Sequence, residues 1–167
     1  IASERVASNS PKWRNSLKLR EEQALYFSTL IYKELEPVFP NVANRRYVYS
    51  KFAICFSGIA NDYEFKAQLV ARYNILDSLK FPDHKSFSKS DIRRIVKSAN
   101  HQPEAVVITT EKDSVRLIRN KWLPEEIKER IFYLPVESRI MANDNEYIPI
   151  PHIGQILMEE FLEPLGI

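Results

Sequence analysis

The chain has 167 residues, a formal net charge of +2 and 44% hydrophobic residues, a composition typical of one globular domain with its own core and room for a small appendage. Glycine is scarce, with three in all, and neither a G-x-x-x-x-G-K-[ST] loop nor a G-x-G-x-x-G motif occurs. The sequence therefore offers no recognisable backbone cradle for phosphate groups, and no cofactor-binding residues are predicted within it.

The few cysteine and histidine residues argue against disulfides and metal sites. A single cysteine, Cys55, rules out a disulfide within the chain and indicates a reducing compartment. The three histidines are far apart in sequence and there is no Cys-x-x-Cys pair, so no metal site is predicted. No run of about 18 apolar residues occurs, so we expect no membrane-spanning helix. So small a net charge does not favour nucleic acid as a partner.

Residues 1–24 do not resemble the start of a domain. They begin with Ile1 rather than methionine, and a turn cluster is followed by a polar stretch. We interpret them either as the last strand and exit helix of a preceding domain, or as a disordered leader. The start at Ile1 and the first interpretation suggest a chain that belongs to something larger.

Residues 25–50 are rich in aromatic and β-branched side chains, a composition typical of strands. We predict a two-stranded β-ribbon linker, with one strand over Leu25–Tyr32 and a returning strand over Arg45–Tyr49. The linker would connect to a C-terminal domain over residues 51–167.

Residues 51–167 alternate between apolar runs and amphipathic stretches. The continuous runs Phe52–Phe56 and Ala105–Thr109 are typical of strands covered on both faces, as in parallel sheets. We predict an α/β domain with three layers and a mostly parallel sheet. Further strands are expected at Ile75–Phe81 and Ile131–Val136, helices around Phe65–Val70, Ser88–Asn100, Val115–Ile118 and after Pro124, an irregular loop at 141–152, and a last helix from Ile153 to Phe161.

Two polar segments follow predicted strands of this domain. Asp83 and His84 come after one strand, and Thr110-Glu111-Lys112-Asp113 comes after another. The carboxyl ends of parallel strands lie on one rim, where ligands bind in open α/β sheets. Histidine can move protons near neutral pH. A local turn and an N-cap with a Glu-Lys pair are the simpler interpretations of the two segments, and both remain open here.

Basic and aromatic residues are interleaved near the predicted ribbon. Such a surface suits an anionic membrane face or nucleic acid. Because the net charge is small, a solvated charged face is the simpler interpretation of the pattern. The residues concerned are Arg14, Lys18, Arg20, Arg45, Arg46 and Lys51, with Trp13, Tyr47 and Tyr49.

Four segments occur together in an order that resembles a known family. They are Phe56-Ser57-Gly58-Ile59-Ala60-Asn61, Phe81-Pro82-Asp83-His84, Thr109-Thr110-Glu111-Lys112-Asp113-Ser114-Val115-Arg116-Leu117 and Phe132-Tyr133-Leu134-Pro135-Val136-Glu137. Over about residues 25–140 the chain resembles the C-terminal half of the tetraacyldisaccharide 4'-kinases, the lipid A kinases.

The resemblance implies a phosphoryl transfer from ATP to the 4'-hydroxyl of a tetraacyldisaccharide 1-phosphate, the lipid A disaccharide precursor. It also implies peripheral attachment to an anionic membrane surface, the cytoplasmic face of the bacterial inner membrane. ATP and magnesium would bind mainly to an N-terminal P-loop domain, of which residues 1–24 would be a remnant.

The resemblance assigns roles to individual residues as well. His84, with Asp83, takes the catalytic position, where the histidine orients or tunes a carboxylate of the N-terminal domain that handles the acceptor proton. Asn61 and Thr110, Glu111, Lys112 and Asp113 become candidates for the substrate cleft. The family usually has a second histidine where Lys85 stands, which leaves the role of that position open.

Because phosphate positioning dominates catalysis in such enzymes, a chain without a P-loop is expected to be inactive by itself. The alternative function is a stand-alone module that binds a membrane or a protein and has no catalytic activity.

Overall fold

The computed structural model describes residues 10–23, 25–83, 86–141 and 147–149. In chain order, the elements are α1 (Ser10–Ser16), β1 (Phe27–Tyr32), β2 (Glu36–Pro37), a 3₁₀ helix (Arg45–Tyr49), β3 (Phe52–Ser57), α2 (Tyr63–Val70), β4 (Asn74–Lys80), α3 (Lys89–His101), β5 (Val106–Thr110), α4 (Glu111–Ile118), α5 (Glu125–Lys128), β6 (Ile131–Leu134), β7 (Val136–Met141) and β8 (Tyr147–Pro149).

The chain divides into two compact units. The larger unit is Tyr32–Val136, and the smaller comprises Ile1–Ile31 and Glu137–Ile167. The domain boundaries expected from the sequence, after residues 24 and 50, stay predictions. None of the described helices has the length and apolar character needed to cross a membrane.

A five-stranded sheet, in the order β2-β6-β5-β3-β4, forms the centre of the larger unit. Strands β3 to β6 run parallel, and β2 is antiparallel at one edge. The continuous apolar runs account for the middle of the sheet, because all of β5 and nearly all of β3 are buried. The predicted α/β fold with a mostly parallel sheet is confirmed.

Helices cover both faces of this sheet. Ile92, Ile95 and Leu117 of α3 and α4 pack on one face, and Phe65 and Leu69 of α2 pack on the other. Each of these side chains is at most 3% exposed, and burial of such a side chain contributes on the order of 2 kcal/mol. The sequence also predicts Val70 as part of the apolar side of α2, and this prediction is wrong, because Val70 is 67% exposed.

Helix α3 is fixed at both ends. At its start, the Ser88 amide donates to Asp91 Oδ2 at 2.9 Å and the Asp91 amide donates to Ser88 Oγ at 3.2 Å, which is a capping box. At its end, the buried Arg130 Nη2 donates to the carbonyls of Ala99, at 2.9 Å, and Gln102, at 2.7 Å. Burial lowers the pKa of the Arg130 guanidinium.

The predicted second strand of the ribbon is wrong. Arg45–Tyr49 is a 3₁₀ helix, because Asn44 Oδ1 caps it by accepting from the Arg46 amide at 3.3 Å and because Tyr47 is buried. Strand β1 instead lies next to β7 in a separate three-stranded sheet, followed by β8, which is antiparallel to β7.

The C-terminal predictions have mixed outcomes. The expected irregular loop at 141–152 is wrong at Tyr147–Pro149, which is strand β8. The predicted last helix, Ile153–Phe161, lies outside the described residues.

Candidate functional site

The parallel arrangement brings four strand ends to one rim of the larger unit. The segments that follow β4 and β5 therefore lie on this rim, as the sequence predicts, and the loop after β3 lies there too. Asp83 and Lys112 are brought into contact: Lys112 Nζ lies 3.4 Å from Asp83 Oδ1, with the two side chains 48% and 24% exposed. His84 and Lys85 lie outside the described residues.

Asp113 is the most buried charged group on this rim. Its side chain has no exposed surface, and its carboxylate accepts hydrogen bonds from the Gly58 amide at 2.7 Å, Thr110 Oγ1 at 2.8 Å and Arg116 Nη1 at 2.8 Å. Arg116 Nη1 also donates to the Gly58 carbonyl at 3.1 Å. Such saturation is what a buried carboxylate needs. The network ties the loop after β3 to the start of α4.

Thr110 has the capping role that the simpler interpretation gives it. It is the N-cap of α4, and its Oγ1 accepts from the Asp113 amide at 3.2 Å. The predicted roles of Thr110 and Asp113 toward a substrate stay predictions. The hydrogen bonds between Thr110 and Asp113 stabilise the start of α4.

Glu111 and Asn61 make local contacts. Glu111 is exposed, and its Oε2 accepts from the Val136 amide at 3.0 Å, which holds the segment after β6 against the start of α4. Asn61 is exposed, and its Oδ1 accepts from the Tyr63 amide at 3.0 Å, as in an Asx turn before α2. Their predicted roles in a cleft stay predictions.

The sequence interpretation missed a second carboxylate cluster, centred on Asp62. Asp62 Oδ2 accepts from Ser57 Oγ at 2.5 Å and lies 3.1 Å from Lys80 Nζ and 3.2 Å from Lys66 Nζ. Burial by itself raises the pKa of Asp62, but the hydrogen bonds from Ser57, Lys80 and Lys66 outweigh burial and lower the pKa from 3.8 to about 2. Asp62 is therefore a firmly ionised anchor rather than a group that exchanges protons near neutral pH.

One signal for this cluster was present in the sequence. Asp62 and Lys66 are four residues apart at the start of a helix, which places them on one face. The Lys80 contact carried no such signal, because it depends on β4 ending beside the loop after β3. Lys80 Nζ also donates to the Ile59 carbonyl at 2.5 Å, which orders that loop.

The predicted basic patch falls in both units and is described in two parts. In the smaller unit, Arg14 Nη2 donates to the Arg20 carbonyl at 2.9 Å. In the larger unit, Arg46, Tyr49 and Lys51 line an open groove of about 630 Å³. Within the described residues, no three His, Cys, Asp or Glu side chains are grouped as a metal site would require.

Comparison with known proteins gives one consistent family. The model of the tetraacyldisaccharide-1-P 4'-kinases matches residues 5–148. A tetraacyldisaccharide 4'-kinase of Bacteroides thetaiotaomicron is 32% identical over 155 residues, which cover 84% of this chain and 40% of the relative. The protein of that name from Phocaeicola vulgatus is 33% identical over 135 residues, 78% of this chain and 37% of the relative.

One solved structure is also similar. The "apo" form of LpxK from Aquifex aeolicus, in complex with ATP, has a TM-score of 0.44 and 16% sequence identity, covering 73% of this chain and 34% of that one. The chain spans about 40% of the length of the curated relatives. Since the family match extends over residues 5–148, the chain belongs to the tetraacyldisaccharide-1-P 4'-kinase family.

Proposed function

We propose that this chain is the C-terminal part of a kinase that transfers the γ-phosphate of ATP to the 4'-hydroxyl of tetraacyldisaccharide 1-phosphate in lipid A biosynthesis. Family membership over residues 5–148 is the observation that carries the proposal. The gathering of Asp83, Lys112 and the Asp62 cluster at one rim is consistent with it.

His84 is the proposed catalytic residue of the chain. In the sequence it follows Asp83 directly, and Asp83 lies in the segment after β4. We propose that its imidazole orients a carboxylate on another part of the enzyme, which takes the proton from the acceptor hydroxyl. A general base held in this way supplies on the order of 100-fold or more in rate. Asp83, held by Lys112, would keep the loop in place.

The two carboxylates of the described rim that hold the most hydrogen bonds, Asp62 and Asp113, do not fit magnesium. Asp62 is occupied by a hydroxyl and two lysines, and Asp113 by Gly58, Thr110 and Arg116. Neither leaves a pair of carboxylates open to a hard cation. We propose that magnesium and the ATP phosphates bind to an N-terminal P-loop domain, in the portion of the relatives that this chain does not span.

The setting of the reaction is part of the proposal. The partners would be the P-loop domain, the lipid A disaccharide precursor and the anionic cytoplasmic face of the bacterial inner membrane. By themselves, the 167 residues would bind the lipid A disaccharide precursor but would not transfer phosphate to it. Substantial transfer of phosphate from ATP to the disaccharide by these residues alone would refute that expectation.

The test of His84 uses the whole protein in which the chain occurs and measures phosphate transfer from ATP to tetraacyldisaccharide 1-phosphate. His84→Ala should lower kcat by about 100-fold or more and leave the melting temperature unchanged. His152→Ala is the matched control, because His152 lies beyond the matched residues 5–148. Equal losses in the two variants, or a fall in melting temperature with His84→Ala, would contradict the catalytic role.

The alternative, a stand-alone binding module, has a direct discriminator. A G-x-x-x-x-G-K-[ST] motif upstream in the same reading frame favours the kinase, and its absence favours the module. A whole protein that binds the disaccharide but never transfers phosphate to it would also favour the module.

A further inference from the structure

The exposed side of α3 is basic along its whole length. Lys89, Arg93, Lys97 and His101 recur every four residues, which aligns them on one side of a helix, and all four are exposed. The only acid of the helix, Asp91, is hydrogen-bonded to Ser88 in the capping box. We call the exposed side of α3, with Arg94, the basic face.

An apolar groove lies beside the basic face. A register shift between β3 and β4 pairs Ala53 with Ile75 and Ile54 with Asp77, so that Leu76 is the extra residue of a bulge. Leu76 is 38% exposed. It lines an open groove of about 390 Å³ with Leu79, and Arg94, Lys97 and His101 form the basic side of that groove.

An exposed aromatic side chain extends this surface at the start of the helix. Trp122 is 42% exposed, and Lys89 Nζ lies 4.7 Å from the centre of its ring. Lys121 Nζ lies 4.9 Å from the same ring. A tryptophan flanked by lysines is typical of surfaces at a lipid–water boundary, where the indole contacts acyl carbons and the cations contact headgroup phosphates.

We infer that the basic face, its groove and Trp122 form a docking surface for an anionic phospholipid membrane. The lining of the groove favours an anion, because it holds three basic residues and one acid, Asp77. The bulge at Leu76 disrupts the outer edge of the sheet, which disfavours an added peptide strand as the occupant. The inference deepens the proposed function, which gives an anionic membrane as a partner, by naming the surface that contacts it. Vesicle binding by this surface requires no kinase activity, so the two proposals can fail separately.

The test is co-sedimentation of the whole chain with vesicles of phosphatidylglycerol and phosphatidylcholine, and with vesicles of phosphatidylcholine alone. The variant Arg93→Gln/Arg94→Gln/Lys97→Gln removes three charges from the basic face. Since each basic residue at such a surface contributes about five-fold in affinity, we expect the triple variant to bind the mixed vesicles roughly 100-fold more weakly. Neither the wild type nor the triple variant should bind vesicles of phosphatidylcholine alone.

The matched control removes the same number of charges elsewhere. Arg45→Gln/Arg46→Gln/Lys51→Gln removes them from the other basic surface that the sequence suggests for a membrane, and it should keep nearly full affinity if the basic face of α3 is the surface that docks. All six residues are exposed, so circular dichroism should show an intact fold in both variants. An equal loss in the two variants would assign binding to overall charge and overturn the inference.

Fluorescence gives a second, site-specific measurement. The chain has two tryptophans, so the variant Trp13→Phe reports Trp122 alone. Its emission should shift to the blue with the mixed vesicles and stay unchanged with phosphatidylcholine. No shift on bound protein would overturn the inference. Binding to an oligonucleotide or to polyglutamate as tight as binding to the vesicles would also overturn it.

Discussion

The carboxylate of Asp113 accepts a hydrogen bond of 2.7 Å from the backbone amide of Gly58, which lies 55 residues earlier in the chain. Gly58 follows β3 and Asp113 follows β5, and these two strands are neighbours in the sheet. Arg116 closes the contact by donating to both Asp113 and the Gly58 carbonyl. The loop that carries Asn61 and Asp62 is thus anchored to the helix that carries Glu111 and Lys112.

Removal of this anchor should cost considerable stability. Asp113→Ala leaves the Gly58 amide and the largely buried Arg116 guanidinium without their carboxylate. We expect the free energy of unfolding to fall by about 3 kcal/mol, measured by denaturant titration. The control Glu125→Ala removes an acid that is 79% exposed and pairs with Lys128, and should change stability by at most about 0.5 kcal/mol. A loss no larger than that of the control would mean that the network is not a stabilising one.

Gly58 should not tolerate a larger side chain, for a reason of space. A Cβ added there would lie 3.1 Å from Asp113 Oδ1 and 3.3 Å from Arg116 Nη1, and its backbone is not in the left-handed region. We expect Gly58→Ala to destabilise by about 1–2 kcal/mol and Gly58→Val by more, measured by thermal melting. Ala60→Val, at an exposed position of the same loop, is the control. Wild-type melting of Gly58→Ala would show that Arg116 moves aside at little cost.

The Asp62 cluster should make stability depend on pH in the acid range. The pKa of Asp62 is about 2 in the folded chain, and 3.8 serves as its pKa in the unfolded chain. Because the pKa is lower in the folded chain, the ionised Asp62 stabilises the fold above pH 3.8. This contribution to the free energy of unfolding is lost as the pH falls from about 4 to 2.

Asp62→Asn tests that dependence. We expect it to lower stability at neutral pH by about 1 kcal/mol, since the two lysines are partly exposed and water screens the pairs. The difference between the variant and the wild type should shrink toward zero near pH 2. A difference that stays constant from pH 6 to about 2 would mean that the loss comes from packing rather than from charge.

The contact between Lys112 and Asp83 should matter more for turnover than for folding. If the loop after β4 carries the catalytic His84, Lys112→Met should lower kcat of the whole kinase by roughly ten-fold, because small displacements of catalytic groups are costly. Stability should change by at most about 0.5 kcal/mol, since the pair is partly exposed.

Two further variants make this test specific. The double variant Asp83→Asn/Lys112→Met should be no slower than the slower single variant, because both remove one interaction. Arg72→Met is the matched control: Arg72 pairs with Glu34 at 3.3 Å and precedes β4, so it lies at the opposite end of that strand from Asp83. Additive losses in the double variant, or an equal loss with Arg72→Met, would contradict the positioning role.

The fold could be predicted where hydrophobicity alone decides it. The runs Phe52–Phe56 and Ala105–Thr109 are too apolar to face water on either side, and both became central strands. Arg45–Tyr49 has equally strong strand composition, yet the cap from Asn44 and the burial of Tyr47 make it a 3₁₀ helix. Local propensity is a weak force, and tertiary packing overrode it there.

The site could be predicted only in outline. Strand ends placed Asp83 and Lys112 on one rim, because parallel strands share their direction. The partners of individual side chains were beyond sequence reasoning. Lys80 reaches Asp62 only because β3 and β4 pair in the register Ser57 with Lys80, and no pattern along the chain encodes that distance.

The hydrogen bonds from Arg130 to the end of α3 limit which sequence changes this part of the domain can accept. The guanidinium contacts main-chain carbonyls, so the side chain at position 102 is free to change without weakening these hydrogen bonds. The length of the segment between α3 and β5 is not free in the same way, because one inserted residue would carry those carbonyls out of reach of a cation with no exposed alternative. Position 102 should therefore accept substitutions, whereas this short connection should reject insertions.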